Sequence, residues 1–173
     1  MSSTPYIPSI TIDNVISALG AFIQPFVGMS TPIIRAQVNR VNMPVGPFVQ
    51  IRELRQTGLD TPTQLQNSNP SIQQASIGRS ITMQVQIDFY GPSAGEWATA
   101  IETVFRSPYA PDQFPSGMAP LDCSDASQGP LITGEEQYEY RWVLTASVEY
   151  NPVVVVPQQS ATQLETNIFE DLE

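Results

Sequence analysis

With 173 residues, 17 acidic side chains against 7 basic ones and a formal net charge of −10, the chain is long enough for one domain with a genuine core and lacks the basic face that grips nucleic acid. All seven bases are arginine, and lysine and histidine are absent. This removes the Ser-His and Cys-His nucleophile pairs, imidazole zinc sites, Schiff-base lysines and the lysine-dependent phosphate loop.

Cys123 is the single cysteine, so no internal disulfide forms, as expected in a reducing compartment. Apolar runs such as Val153 to Val156, bracketed by Pro152 and Pro157, fall far short of a membrane span, and the start "MSSTPYIPSIT" lacks the charged opening of a secretory signal. The expectation is a soluble protein made in the cytoplasm.

Along the chain, Ile12, Val15, Ile16, Leu19, Phe22, Ile23 and Phe26 form one apolar helical stripe. Thr11 or Asp13 can cap its start, Gly28 can end it, and Pro25 kinks or terminates its last turn. "PIIRAQVNR" alternates as a half-buried strand. "FVQIREL" follows it after a short Pro/Gly link, with Val49 and Ile51 on one face and Gln50 and Arg52 on the other, so the pair reads as a hairpin. Residues 57–78 are rich in Gln, Asn, Ser, Thr and Pro and read as a long loop that makes an assembly contact and orders in the assembly.

Residues 79–90 are the clearest strand, with Ile81, Met83, Val85, Ile87 and Phe89 on one face and Ser80, Thr82, Gln84, Gln86, Asp88 and Tyr90 on the other. A Ser93–Glu96 capping box opens a second helix through Trp97, Ala100, Ile101, Val104 and Phe105, which stops before Pro108. A proline- and glycine-rich stretch then reads as irregular. The last strand, "YEYRWVLTASVEY", turns Tyr138, Tyr140, Trp142, Leu144, Ala146, Val148 and Tyr150 to the core.

The order helix, hairpin, strand, helix, strand predicts an α+β fold: a mainly antiparallel sheet of about four strands, two helices on one face, a polar opposite face, long loops and an extended C-terminal arm. In that arm, Leu164, Ile168 and Leu172 recur at helical spacing among Glu165, Glu170, Asp171 and Glu173.

Among candidate chemical groups, Asp88 reads as a solvated strand-end aspartate, because acid–base work would need a second tuned carboxylate or a metal. Asp122 and Asp125, with Glu135, Glu136 and Glu139, could gather oxygens around a cation, and a metal-dependent hydrolase would use Asp122, Asp125, Glu135 or Glu136, yet their spacing matches no calcium loop. Cys123 lacks a basic activator in sequence and reads as a small buried residue. Catalytic, cofactor and metal sites are therefore expected to be absent. Arg35, Arg40, Arg52 and Arg55 cluster on the proposed hairpin. In a lysine-free acidic protein, arginine is the natural partner for carboxylates across an interface, those of the C-terminal arm included.

The blocks "PFVQI", "VQIDFYG", "VFRSPYA", "PLDCSD" and "QGPLITGEEQYEYRW" resemble the neck or tail terminator family of bacteriophages, chiefly those with contractile tails. The resemblance spans about residues 10 to 152, giving a terminator-like domain over 1–152 and an acidic arm over 153–173 outside it. It implies a virion protein of the tail or neck, assembled in the host cytoplasm as a hexameric ring. The ring would end tube growth, join the tail to the head connector and leave a channel for genomic DNA. Its partners would be copies of itself, tail tube and sheath proteins and the connector, with no membrane and no specific hold on DNA. The alternative reading is another neck-level protein: a head–tail connector, collar or stopper.

Overall fold

The computed structural model describes residues 5–36, 44–66, 74–129, 131–132 and 138–157. The helix α1 (Ile12–Val27) is opened by a capping box in which Asn14, rather than the usual Glu or Gln, returns the bond. The Asn14 amide donates to Thr11 Oγ1 (3.3 Å) and the Thr11 amide to Asn14 Oδ1 (2.8 Å), so Thr11 is the cap and Asp13 is left for other work. Pro25 sits inside the last turn, which runs on to Val27 before Gly28 at φ +91° ends it. The predicted stripe holds: Val15, Leu19, Phe22 and Ile23 are buried, with Ile12, Ile16 and Phe26 packed at its margin.

The strands that follow are β1 (Ile33–Arg35), β2 (Phe48–Gly58), β3 (Thr63–Gln66), β4 (Gln74–Gly78) and β5 (Ile81–Tyr90). After the second helix, α2 (Ala94–Phe105), come β6 (Met118–Cys123), β7 (Ser127–Gln128), β8 (Leu131–Ile132), β9 (Tyr138–Glu139), β10 (Arg141–Tyr150) and β11 (Val153–Pro157). The main sheet has six strands rather than about four, ordered β1-β2-β5-β10-β6 with β7 also on β10. β5 lies between β2 and β10, antiparallel to both along its whole length. Both helices pack on the face made by Val49, Ile51, Met83, Val85, Ile87, Phe89, Leu144, Ala146 and Val148, and Phe22 of α1 meets Phe105 of α2 at 5.6 Å between centroids. Each fully buried Val, Ile, Leu, Met or Phe side chain in this layer contributes about 1.5–3 kcal/mol of transfer free energy.

Several expectations are corrected. β1 and β2 do not form a hairpin. They pair in parallel, Ile33 opposite Val49, an arrangement that a tight hairpin turn cannot join. The polar stretch 57–78 contains β3 and β4, which join β11 in a second, three-stranded sheet of order β11-β4-β3. The valine run thus pairs within its own chain, Val155 opposite Ser76. The proline-rich stretch hides β6, an edge strand that carries Pro120 at a bulge where Leu121 stands unpaired, a place where the missing proline N–H costs no ladder bond. Ser93 precedes α2 without a side-chain cap. The Gly91 carbonyl accepts from the Ala94 amide instead (3.1 Å), so Glu96 is left only to favour the helix N-terminus by its charge. The aromatic strand breaks at Tyr140, which is 43% exposed and not in the core.

Gly91 turns the chain from β5 into α2 at φ +113°, and a Cβ there would lie 2.8 Å from Pro47 Cβ and 3.1 Å from Pro47 Cα. Neither the backbone nor a proline ring yields cheaply. Gly91→Ala is therefore expected to cost about 1–3 kcal/mol, lowering the melting temperature by about 2–4 °C for each kcal/mol. Thermal denaturation followed by circular dichroism measures this, and an unchanged midpoint would refute it.

Candidate functional site

The sheet face away from the helices carries the groups that sequence reasoning singled out, and cross-strand register defines it. Phe48, Tyr90 and Arg141 lie level. Gln50, Asp88 and Val143 form the next row, and Arg52, Gln86 and Thr145 the one after. A bulge between Glu53 and Arg55 leaves Leu54 unpaired and shifts the parity of β2, so Arg55 comes opposite Gln84. Strict alternation would send Arg52 and Arg55 to opposite faces; the bulge brings both to this one. Arg52 is half-buried, Arg55 is exposed, and neither pairs with a carboxylate among the described residues.

Asp88 is fully buried, which corrects the solvated reading. Arg141, one strand over and one row along, donates to Asp88 Oδ1 from Nη2 (2.8 Å) and Nε (3.3 Å). Gln86 Nε2 reaches both carboxylate oxygens, at 2.8 and 3.1 Å. Phe48 stacks on Tyr90 at 4.3 Å, and the Arg141 guanidinium lies 5.9 Å from the Tyr90 ring centre. Burial alone would loosen the proton of Arg141, but the hydrogen bond and charge of Asp88 override it and hold the guanidinium more firmly protonated than usual. The carboxylate is saturated by donors from its own chain, so the group is a structural clamp between β5 and β10.

Of the acidic residues put forward for a hydrolase, Asp122 and Asp125 are met by Arg106. Arg106, just past α2, donates to Asp125 Oδ1 (3.0 Å), Glu102 Oε1 (3.2 Å) and the Cys123 carbonyl, with Asp122 Oδ1 at 3.5 Å. Glu102 Oε2 accepts the Ala126 amide (2.9 Å). The cluster thus fastens the β6–β7 loop to α2, with Arg106 held more firmly protonated by Asp125. Cys123 is buried, and burial pushes its thiol pKa up, away from reactivity. Among the described residues no three His, Cys, Asp or Glu side chains converge for a metal; Glu135 and Glu136 lie outside them. No helix among the described residues is long and apolar enough to cross a membrane.

Of the arginines expected at an interface, Arg35 is engaged within the chain by Asp13 of α1 and Glu53 of β2, tying the helix to the sheet edge, while Arg52 and Arg55 come together on the polar face. Arg40, Leu164, Ile168, Glu170, Asp171 and Leu172 lie outside the described residues. Sequence reading missed the roles of Arg106 and Arg141. The sequence carries a signal for Arg141: the alternation that turns Trp142 and Leu144 to the core puts Arg141 on the opposite face, as it does Asp88 on the strand that proves to be its neighbour.

The fold is α+β with a mostly antiparallel main sheet, and among the described residues Arg35, Arg106 and Arg141 each fasten one element to another. The family described as phage neck terminator protein matches residues 13–171, and the chain belongs to that family. The match runs past residue 152, so most of the C-terminal segment, expected to lie outside the resemblance, falls within the family pattern. No curated protein matches the chain.

The clamp makes a sharp energetic prediction. Asp88→Ala leaves Arg141 part-buried and unpaired, at a cost of about 3–5 kcal/mol. Asp88→Leu combined with Arg141→Met removes both charges and should recover most of that loss. Urea unfolding of the two variants tests this, and equal destabilisation in both would show that the charge pair is not the source.

Proposed function

We propose that this neck terminator forms a hexameric ring at the head-proximal end of a contractile phage tail, where it ends tube growth and joins the tail to the head connector around the DNA channel. The family match over residues 13–171 carries the reading. Its partners are copies of itself, the tail tube and sheath proteins and the connector protein, and it assembles in the host cytoplasm without a membrane. Genomic DNA passes through without specific binding. A chain of net charge −10 with no lysine offers few cations to phosphates, and phosphate contacts are what would slow a sliding duplex. The interface groups are the arginines near the sheet edge and the C-terminal arm. Arg52 and Arg55, with Arg40, meet carboxylates such as Glu170 and Asp171 of a neighbouring subunit or neck protein, and Leu164, Ile168 and Leu172 supply apolar contact. Arg35 serves the same rim by holding α1 to β2.

Electron microscopy of the particle should locate a closed ring of this chain where the tail tube meets the connector. Location at a collar or a stopper level would replace the terminator reading with its nearest alternative, and native mass spectrometry giving only monomer together with no ring in the particle would overturn both. Deleting residues 158–173 leaves β11 intact, so the melting temperature should stay within about 2 °C while the joining of heads to tails falls. Normal yields of infectious particles from the truncated protein would remove the arm from assembly.

A further inference from the structure

The three strands of the second sheet contain no charged residue: "TQLQ" in β3, "QASIG" in β4 and "VVVVP" in β11. In a chain with 24 charged side chains this is unusual placement, because the open edges of small sheets are ordinarily guarded by charge to prevent pairing with another chain. β3 and β11 are the two edges here, and among the described residues no further strand pairs with either.

The register says which backbone groups those edges offer. The Ser9 amide donates to the Val153 carbonyl (2.9 Å) and the Val153 amide to Ser9 Oγ (3.0 Å), so the polar groups of Val153 point away from β4. In an antiparallel ladder the side alternates by residue, so Val155 and the Pro157 carbonyl also point outward, while Val154 and Val156 bond Ile77 and Ala75. Gly78 and Ser76 then face β3, bonding Thr63 and Leu65, and the peptide groups of Gln64 and Gln66 are left on the outer edge. Leu65, Ser76 and Val155 form one row across the same sheet face, with Leu65 72% and Val155 45% exposed.

These two edges match. β3 and β11 are each antiparallel to β4 and so run the same way, and a rotation from one subunit to the next brings the β11 edge of one beside the β3 edge of another in parallel. Parallel pairing asks one residue to bond two residues that flank its opposite number. Val155 can donate to the carbonyl of Gln64 of the partner subunit and accept from the amide of Gln66 of the partner subunit. That register sets Val155 beside Leu65 of the partner subunit and extends the apolar row across the junction. Pro157 has no N–H for the next rung, so the ladder stops there. We propose that β11 of one subunit and β3 of the next join edge to edge, so that the small sheets run on as a continuous belt around the assembly. This rests on the ring reading, because only a head-to-tail contact uses both edges and closes at more than two subunits.

The test places cysteines at Leu65→Cys and Val155→Cys in a Cys123→Ala background, in particles assembled with the variant. Opposed residues on paired strands lie within disulfide reach. Oxidation should give a ladder of covalent oligomers up to the closed ring for the double variant, dimers for mixed single variants, and no product for either single variant. Gln66→Pro removes an outward N–H and no bond to β4. It should leave circular dichroism and melting unchanged and lower the yield of joined particles by about tenfold or more. Cross-linking by Leu65→Cys alone would mean that β3 meets its own copy. A ring seen by microscopy without cross-links, or with Gln66→Pro assembling normally, would overturn the edge pairing and leave the ring reading standing. The absence of any ring would remove both.

Discussion

The two antiparallel ladders that flank β5 are the constraint on which the rest of the structure depends. β5 pairs residue for residue with β10 and, across one bulge, with β2, so every side chain of three strands is assigned to one of two faces by a single register. A slip of one residue would exchange Ile87 for Asp88 in the layer beneath the helices. The register holds because both faces resist exchange. One is a close-packed layer of Val, Ile, Leu, Met and Phe against α1 and α2, and the other seats a buried carboxylate that is stable only beside Arg141 and Gln86.

The charged residues of the described chain follow a consistent use. Arg35, Arg106 and Arg141 each join elements distant in sequence: helix to edge strand, helix to loop, strand to strand. With no lysine and few cations, the chain spends three of its six described arginines on such internal ties. The exposed pairs add little each in water, whereas the Asp88–Arg141 pair, shielded from solvent, is costly to break on one side. Arg52 and Arg55 stand apart from this use, and the bulge in β2 puts them on one face.

The second sheet illustrates a different economy. Its strands mix Gln, Ser, Thr and Gly with Leu65, Ala75, Ile77 and the valine run, and most of their side chains remain solvent-exposed or half-buried. Backbone pairing rather than side-chain burial holds them, anchored at one end by the continuation of β4 through Arg79 and Ser80 into β5 and by the bond of the Ser80 amide to Asp60 (2.8 Å). Such strands leave little period-2 hydrophobic pattern, because Ala75 is the one fully buried side chain among their described residues.

What the sequence determined by itself are the elements whose burial imposes a period. The stripe of α1, the alternation of β5 and of Arg141 to Tyr150, the span of α2 and the absence of a histidine- or lysine-based reactive centre were all legible, and the distributed blocks from "PFVQI" to "QYEYRW" pointed to the family. What only the tertiary structure decided are the relations that depend on which strand lies beside which. The parallel pairing of β1 with β2, the edge role of β6, the return of β11 to β4 and the bulge that unites Arg52 with Arg55 are of this kind. So is the burial of Asp88, which looks like any polar-face aspartate until Arg141 is placed one strand away. The physical reason is that hydrophobic periodicity is a local signal, written wherever a segment borders the core. Hydrogen-bonded pairing between segments is carried by backbone groups that every residue shares, and it leaves no mark in the order of side chains.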